Sequence, residues 1–212
     1  MDIKDLNLKS VEFTNYIKEE HEKTQVYLHH TAGGPSGEAV FRYWEKTPER
    51  VATCVSISND GTIVQGYSSK YWAYHLGLQK PTFAKFGLPY KSLDKTSIGI
   101  EICNYGFLTE KNGKFVNYVG GVCEDICELE TPYKNHKYWQ NYTDEQIEST
   151  RKLLLYWGEK YGIDLTYKED IWNVTPRALK GDNGIFTHNS VRKDKADVYP
   201  HPGLVEMLKS LK

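Results

Sequence analysis

Apolar positions in this chain come in short runs, each closed by a turn or a polar residue. Val26, Tyr27 and Leu28 lead into His29, His30 and the small turn Thr31, Ala32, Gly33 and Gly34. The pattern predicts a buried strand with two imidazoles at its end, and glycine after it lets backbone approach a bound group closely. Residues 51–58 predict a strand, Asn59, Asp60 and Gly61 a turn, and residues 62–65 the return strand of a hairpin. Residues 96–103 predict another buried strand with Glu101 inside it. A carboxylate in an apolar run is costly unless it is paired or has chemical work to do.

The helical signals are fewer. Ser10 as a cap, followed by Val11, Phe13, Tyr16 and Ile17, predicts an N-terminal helix. Ser36, with Val40, Phe41 and Trp44, predicts a second over residues 36–46. Thr143, Asp144, Glu145 and Gln146 have the shape of a capping box. They open a long helix with an apolar stripe of Ile147, Leu154, Leu155 and Trp157, ended by Gly162. A short connection and a small helical piece are expected over 163–180. Residues 106–142 read as a long irregular insertion with a hairpin tip at Asn112 and Gly113.

Composition narrows the classes. At 212 residues, 39% hydrophobic and with no internal repeat, the chain suits one domain, 1–212. A net charge of −1 gives no electrostatic case for nucleic acid or an acidic membrane surface. No apolar run is long enough for a membrane span, and the N-terminus lacks the pattern of a signal peptide. A cytoplasmic origin is therefore expected, with Cys54, Cys103, Cys123 and Cys127 as free thiols. Cys123 and Cys127, four apart, could share a helix face. The 16 tyrosines and 5 tryptophans are expected mostly in packing, with some available to line a groove.

The second chemically informative stretch is C-terminal and contains His188, Lys195, Asp197, Pro200 and His201. Two imidazoles and one carboxylate, leaving one position open, form the donor set of a catalytic zinc. His29 or His30 would supply one imidazole, His188 the other and Asp197 the carboxylate, with His201 a competing third ligand.

In their order along the chain these features resemble the zinc-dependent N-acetylmuramoyl-L-alanine amidases of type 2, relatives of the peptidoglycan recognition proteins. The resemblance rests on five pieces: His29-His30-Thr31-Ala32-Gly33; the hairpin around Asn59-Asp60-Gly61; Ala73-Tyr74-His75-Leu76-Gly77; Ile98-Gly99-Ile100-Glu101; and the His188 to Pro200 loop. It covers about residues 24–205, with the long helix in place. It implies an α/β fold, a single domain with a central mixed β-sheet flanked by helices and a zinc site in a surface groove. It implies His29, His188 and Asp197 as ligands of Zn2+, with His30 packed elsewhere. Glu101 is then the general base and Lys195 the group that polarises the carbonyl. Some members use a tyrosine on the central hairpin, but the position here is near Thr53, which cannot act as a base. His75 and Tyr74 are expected to contact substrate, and Trp72 and Tyr105 to line the same groove.

The implied partner is peptidoglycan, cut at the amide between N-acetylmuramic acid and L-alanine by a monomer. A phage endolysin, made in the host cytoplasm and acting on the wall after release, is the expected role. A muropeptide-recycling amidase, a non-catalytic peptidoglycan-binding module and an unrelated zinc hydrolase are the alternatives. Three departures bear on substrate detail: Tyr74 where tryptophan is usual, Asn-Ser-Val-Arg after His188 where Arg-Asp is common, and the insertion.

Overall fold

The computed structural model describes residues 6–211. In chain order the elements are β1 (Leu8–Ser10), β2 (Gln25–His30), α1 (Gly37–Trp44), β3 (Val55–Ile57), β4 (Ile63–Gln65), α2 (Lys80–Lys85) and β5 (Ser97–Ile102). Then follow β6 (Phe107–Lys111), β7 (Lys114–Val116), β8 (Val122–Cys123), β9 (Ile126–Tyr133), β10 (His136–Gln140) and α3 (Asp144–Tyr161). The chain closes with α4 (Pro176–Lys180), β11 (Gly184–Thr187) and α5 (Pro202–Lys209). Among the described residues no helix is long and apolar enough to cross a membrane.

A six-stranded mixed sheet, in the order β1-β4-β3-β5-β2-β11, forms the centre. Only the β3–β4 hairpin is antiparallel; β5, β2 and β11 run parallel side by side. Parallel strands are covered on both faces, so their sequences read as near-continuous apolar runs. β2 accordingly has all six residues buried. Side chains alternate across a strand. Ser56 and Val64 face α1, where a Cβ on Gly37 would come within 2.5 Å of Ser56 Oγ. Val55 points the other way and lines a small cavity with Leu153 and Trp157 of α3. Helices thus flank both faces.

The long helix forms as its sequence dictates. Thr143 Oγ1 accepts the Gln146 N–H at 3.1 Å, and the Gln146 side chain accepts the Thr143 N–H at 3.2 Å. Gly162 ends it in the left-handed region at φ 67°, where a side chain would be strained. Ser36 caps α1 through its hydroxyl. The predicted hairpin is present, although the first strand pairs only over Val55–Ile57; Val51 makes an isolated bridge to Tyr74. The region 163–180 holds a 3-10 turn at Glu169–Trp172 and α4, as expected.

Three expectations fail. The N-terminal helix is absent: Ser10 belongs to β1 and pairs with Gln65, and residues 11–24 contain no helix. Phe13, Tyr16 and Ile17 keep the three-and-four spacing of a helix, but Val11 does not and the stripe goes no further. Phe13 and Tyr16 instead stack on Tyr67, at centroid distances of 6.1 and 4.8 Å. Tertiary ring packing outweighs the weak helical signal. The insertion is not irregular; it is a five-stranded antiparallel sheet in the order β8-β7-β6-β10-β9, with Asn112 and Gly113 at the β6–β7 tip. Trp139 anchors it, fully buried and stacked on Tyr199 at 4.6 Å. Cys123 and Cys127 lie on strands, not on a helix, and all four thiols are free.

Candidate active site

Because β2, β5 and β11 are parallel, their carboxyl ends open on one edge, where ligands of α/β sheets gather. His29 sits at the end of β2 and is paired in register with Glu101 of β5. Thr187 of β11 is level with Leu28, so His188, the next residue, arrives level with His29. The loop after His188 brings back Asp197, and Asn189 holds that loop: its amide donates to the Asp197 and Val198 carbonyls, each at 3.1 Å. The two ends of the chain therefore meet.

The meeting is close. His29 Nδ1 lies 3.1 Å from His188 Nδ1 and 3.2 Å from Asp197 Oδ2, and His188 Nδ1 lies 2.9 Å from Asp197 Oδ2. Among the described residues these three form a group that could hold a metal ion. The hydrogen bonds on the far side of each ring support this. His188 Nε2 is 3.0 Å from the Leu76 carbonyl, which can only accept, so Nε2 carries the proton and Nδ1 presents a lone pair to the cluster. His29 Nε2 is 3.0 Å from His75 Nδ1, and His75 Nε2 is 2.9 Å from Ser97 Oγ. Donation along that chain, from His29 to His75 to Ser97, leaves His29 Nδ1 a lone pair as well.

Three lone-pair donors aimed at one point repel one another unless a cation lies between them. Four-coordinate ligands at about 2.0–2.1 Å from an ion sit about 3.3 Å apart, close to the spacing found here. The donor set fits such an ion. Burial pushes His29 down to about 4, with neighbouring His188 acting the same way, so its ring is neutral at physiological pH. Burial works to raise the Asp197 carboxyl, but His188 and His29 beside it win and hold it well below the usual range. A neutral imidazole and an ionised carboxylate are the forms that bind metals.

The cluster lies in a groove of about 520 Å³ that also takes in Glu101, Lys195, Tyr74, Thr53 and Arg192. Burial, and then the charge of Asp197, raise the Glu101 carboxyl well above its ordinary value. It is a stronger base than a solvated carboxylate. Thr53 is buried and its hydroxyl donates to the Val55 carbonyl at 2.8 Å, so it carries no proton chemistry. The Arg192 guanidinium ties the ligand loop to the Gly77 carbonyl and pairs with Asp194 at 2.6 Å.

The other predicted residues separate. Tyr74 is exposed and lines the groove. His75 reaches the groove wall, but both its ring nitrogens are taken up within the protein. His30 points away, with Nδ1 2.9 Å from the Tyr142 hydroxyl. His201 caps α5 and bonds Asn141 Oδ1 at 2.6 Å, so it does not compete for the cluster. Trp72 is buried, its Nε1 donating to Glu19. Sequence reasoning missed Ser97, Asn189 and the Leu76 carbonyl, which hold the cluster in place without any chemistry of their own to mark them.

Comparison with known proteins agrees with this geometry. The family model described as N-acetylmuramoyl-L-alanine amidase matches residues 20–203. Comparison with curated proteins gives no match. Among solved structures the chain is similar to PlyL, at 14% identity over 98% of this chain and 96% of that one, TM-score 0.53. A mutant endolysin from Bacillus subtilis matches at 14% identity over 96% and 97%, TM-score 0.55. A selenomethionine AmpD derivative matches at 15% identity over 97% and 94%, TM-score 0.52. At these identities the likeness is one of fold.

Proposed function

Since the chain belongs to the N-acetylmuramoyl-L-alanine amidase family and is an amidase of that kind, we propose that it is a zinc hydrolase of wall peptidoglycan, with His29, His188 and Asp197 as the metal ligands. The observation that carries this reading is the convergence of His29 Nδ1, His188 Nδ1 and Asp197 Oδ2 beside Glu101 in one open groove. Bound there, zinc supplies Lewis acidity and lowers the pKa of a water to about 7.

The chain's own residues do the rest. His29 and His188 would hold the ion through Nδ1, each ring fixed by the bond its Nε2–H makes. Glu101 takes the proton of the attacking water and delivers it to the nitrogen of the departing alanine. As the water adds, the lactyl carbonyl oxygen gathers negative charge, which the Lys195 ammonium in the same groove stabilises until the carbonyl re-forms and the C–N bond breaks. Tyr74, exposed at the rim, contacts the substrate. His75 acts on His29 and not on substrate.

The groove is open and extends beyond the metal cluster, which supports a polymeric substrate and thus a lytic, endolysin-type role over muropeptide recycling. Mass spectrometry of products from intact sacculi and from soluble anhydro-muropeptides tests both levels. Release of new L-alanine amino termini from sacculi, in preference to the small fragments, is expected. Strict preference for the fragments would reverse the role, and release of neither product would sink the zinc hydrolase assignment.

A further inference from the structure

The groove has two lobes. Beside the metal-cluster lobe lies a second cavity of about 500 Å³, and Thr31, Ala32, Trp44 and Glu101 line both. The lobes differ in chemistry. The first carries charge of both signs, Lys195 and Arg192 beside Glu101, Asp194 and Asp197. The second has no charged residue in its lining except the shared Glu101. Its lining includes Tyr43 and Trp44 of α1 and Tyr118, from the turn between β7 and β8. Tyr43 and Tyr118 are each 67% exposed, so both rings offer free surface to a ligand.

The Tyr118 turn is fixed before anything binds. Asn117 Oδ1 accepts the backbone N–H groups of Val119, at 3.2 Å, and Gly121, at 2.8 Å, while Asn117 N–H donates to the Gly121 carbonyl at 2.9 Å. A rigid turn presents its ring at little entropic cost on binding.

Resting on the amidase reading, we propose that the second lobe is the glycan subsite: Tyr43 and Tyr118 hold a neutral amino-sugar ring of the wall polymer between them. The substrate has two arms that diverge from the scissile amide, and Glu101 stands where the two lobes join. The stem-peptide arm carries amides and charged groups, which suit the lobe lined by charged side chains. The sugar arm is uncharged, with flat C–H faces that match aromatic rings. The second sheet thereby gains a role in binding, because its β7–β8 turn supplies the outer wall of the sugar site.

The test uses the full chain and two probes. A tetramer of β-1,4-linked N-acetylglucosamine, free of peptide, is titrated against protein fluorescence. Its affinity falls about tenfold in the Tyr43→Ala/Tyr118→Ala variant and is kept in Tyr43→Phe/Tyr118→Phe. Hydrolysis is then compared on a disaccharide-linked stem peptide and on a lactyl stem peptide lacking sugar. The alanine variant loses about tenfold in kcat/KM, through KM, on the first substrate alone. Equal losses on both substrates, or weakened binding of a sugar-free stem peptide, assign the lobe to the peptide and overturn the proposal. Unchanged tetramer affinity overturns it too. A wild-type chain that binds the tetramer yet cleaves neither substrate refutes the amidase reading and leaves the sugar site standing.

Discussion

His75 Nδ1 lies 3.0 Å from His29 Nε2, on the side of the imidazole opposite the His188–Asp197 cluster. That contact makes His75 a positioning residue. Groups that orient a ligating histidine typically account for 10–100-fold in metal affinity. His75→Ala is therefore expected to bind zinc about 10–100-fold more weakly in a chelator competition, with KM nearly unchanged at saturating zinc. A variant with raised KM and intact zinc affinity would return His75 to the substrate-contact role.

Glu101 and His188 divide the labour differently. Glu101→Gln keeps the three donor atoms and removes the base, so zinc content is retained while kcat drops by about 10²–10⁴. His188→Ala loses metal and activity together. Metal analysis beside turnover on purified wall separates the two variants; a Glu101→Gln protein that digests walls normally would falsify the base assignment.

Asn104 is the pin between the central sheet and the second one. It is buried, its Nδ2 donates to the Gln140 carbonyl at 3.0 Å and the Asn141 carbonyl at 3.1 Å, and its Oδ1 accepts the Gly106 N–H at 2.7 Å. The Gln140 carbonyl keeps a second partner in the Tyr199 hydroxyl. The Asn141 carbonyl and Gly106 N–H are the groups Asn104→Ala leaves without this side chain. A loss of about 1–3 kcal/mol in denaturant unfolding is expected. Hydrogen exchange should rise first in β6 and β10.

Lys23 gives a pH signature. Burial lowers its ammonium to about 8, although it donates to the Lys95 carbonyl at 2.7 Å and the Ser97 carbonyl at 3.2 Å. The unfolded chain holds that proton up to about pH 10.5, so between about 8 and 10.5 the unfolded state binds more protons and stability rises with pH. The cost is complete below about pH 8 and vanishes above about 10.5. Wild type should thus gain on the order of 3 kcal/mol relative to Lys23→Met across that window. A flat difference between the two, measured by denaturant unfolding from pH 7 to 10.5, would remove Lys23 from the account.

The residues that stand out in the sequence are those whose chemistry conflicts with their surroundings. Glu101 in an apolar strand and paired histidines at a strand end both stand against burial, and both lie at the candidate site. Thr143 and Gly162 are readable because caps act through neighbours a few residues away. The second sheet is readable only in part: Leu129 between Glu128 and Glu130 is the alternation of a strand with one buried face, masked by many short strands and polar turns. Residues 11–24 mislead because their rings find partners in Tyr67 and Phe41, far along the chain. Ser97 carries no local signal, and only the folding of β5 beside β2 brings it near the histidines; Asn189 adjoins His188 in the chain, but its hold on the Asp197 loop exists only once that loop has folded back.

The parallel register also orders events in time. His29 and His188 are 159 positions apart, so the donor set does not exist until the last strand, β11, has docked beside β2. Closing so long a loop is entropically slow to be rewarded, and an ion that binds only the finished arrangement favours the chain with its ends already joined. Metal loading would then act as a latch on completed folding: a chain lacking β11, or one caught before it docks, has neither the grip on the ion nor the means to cut.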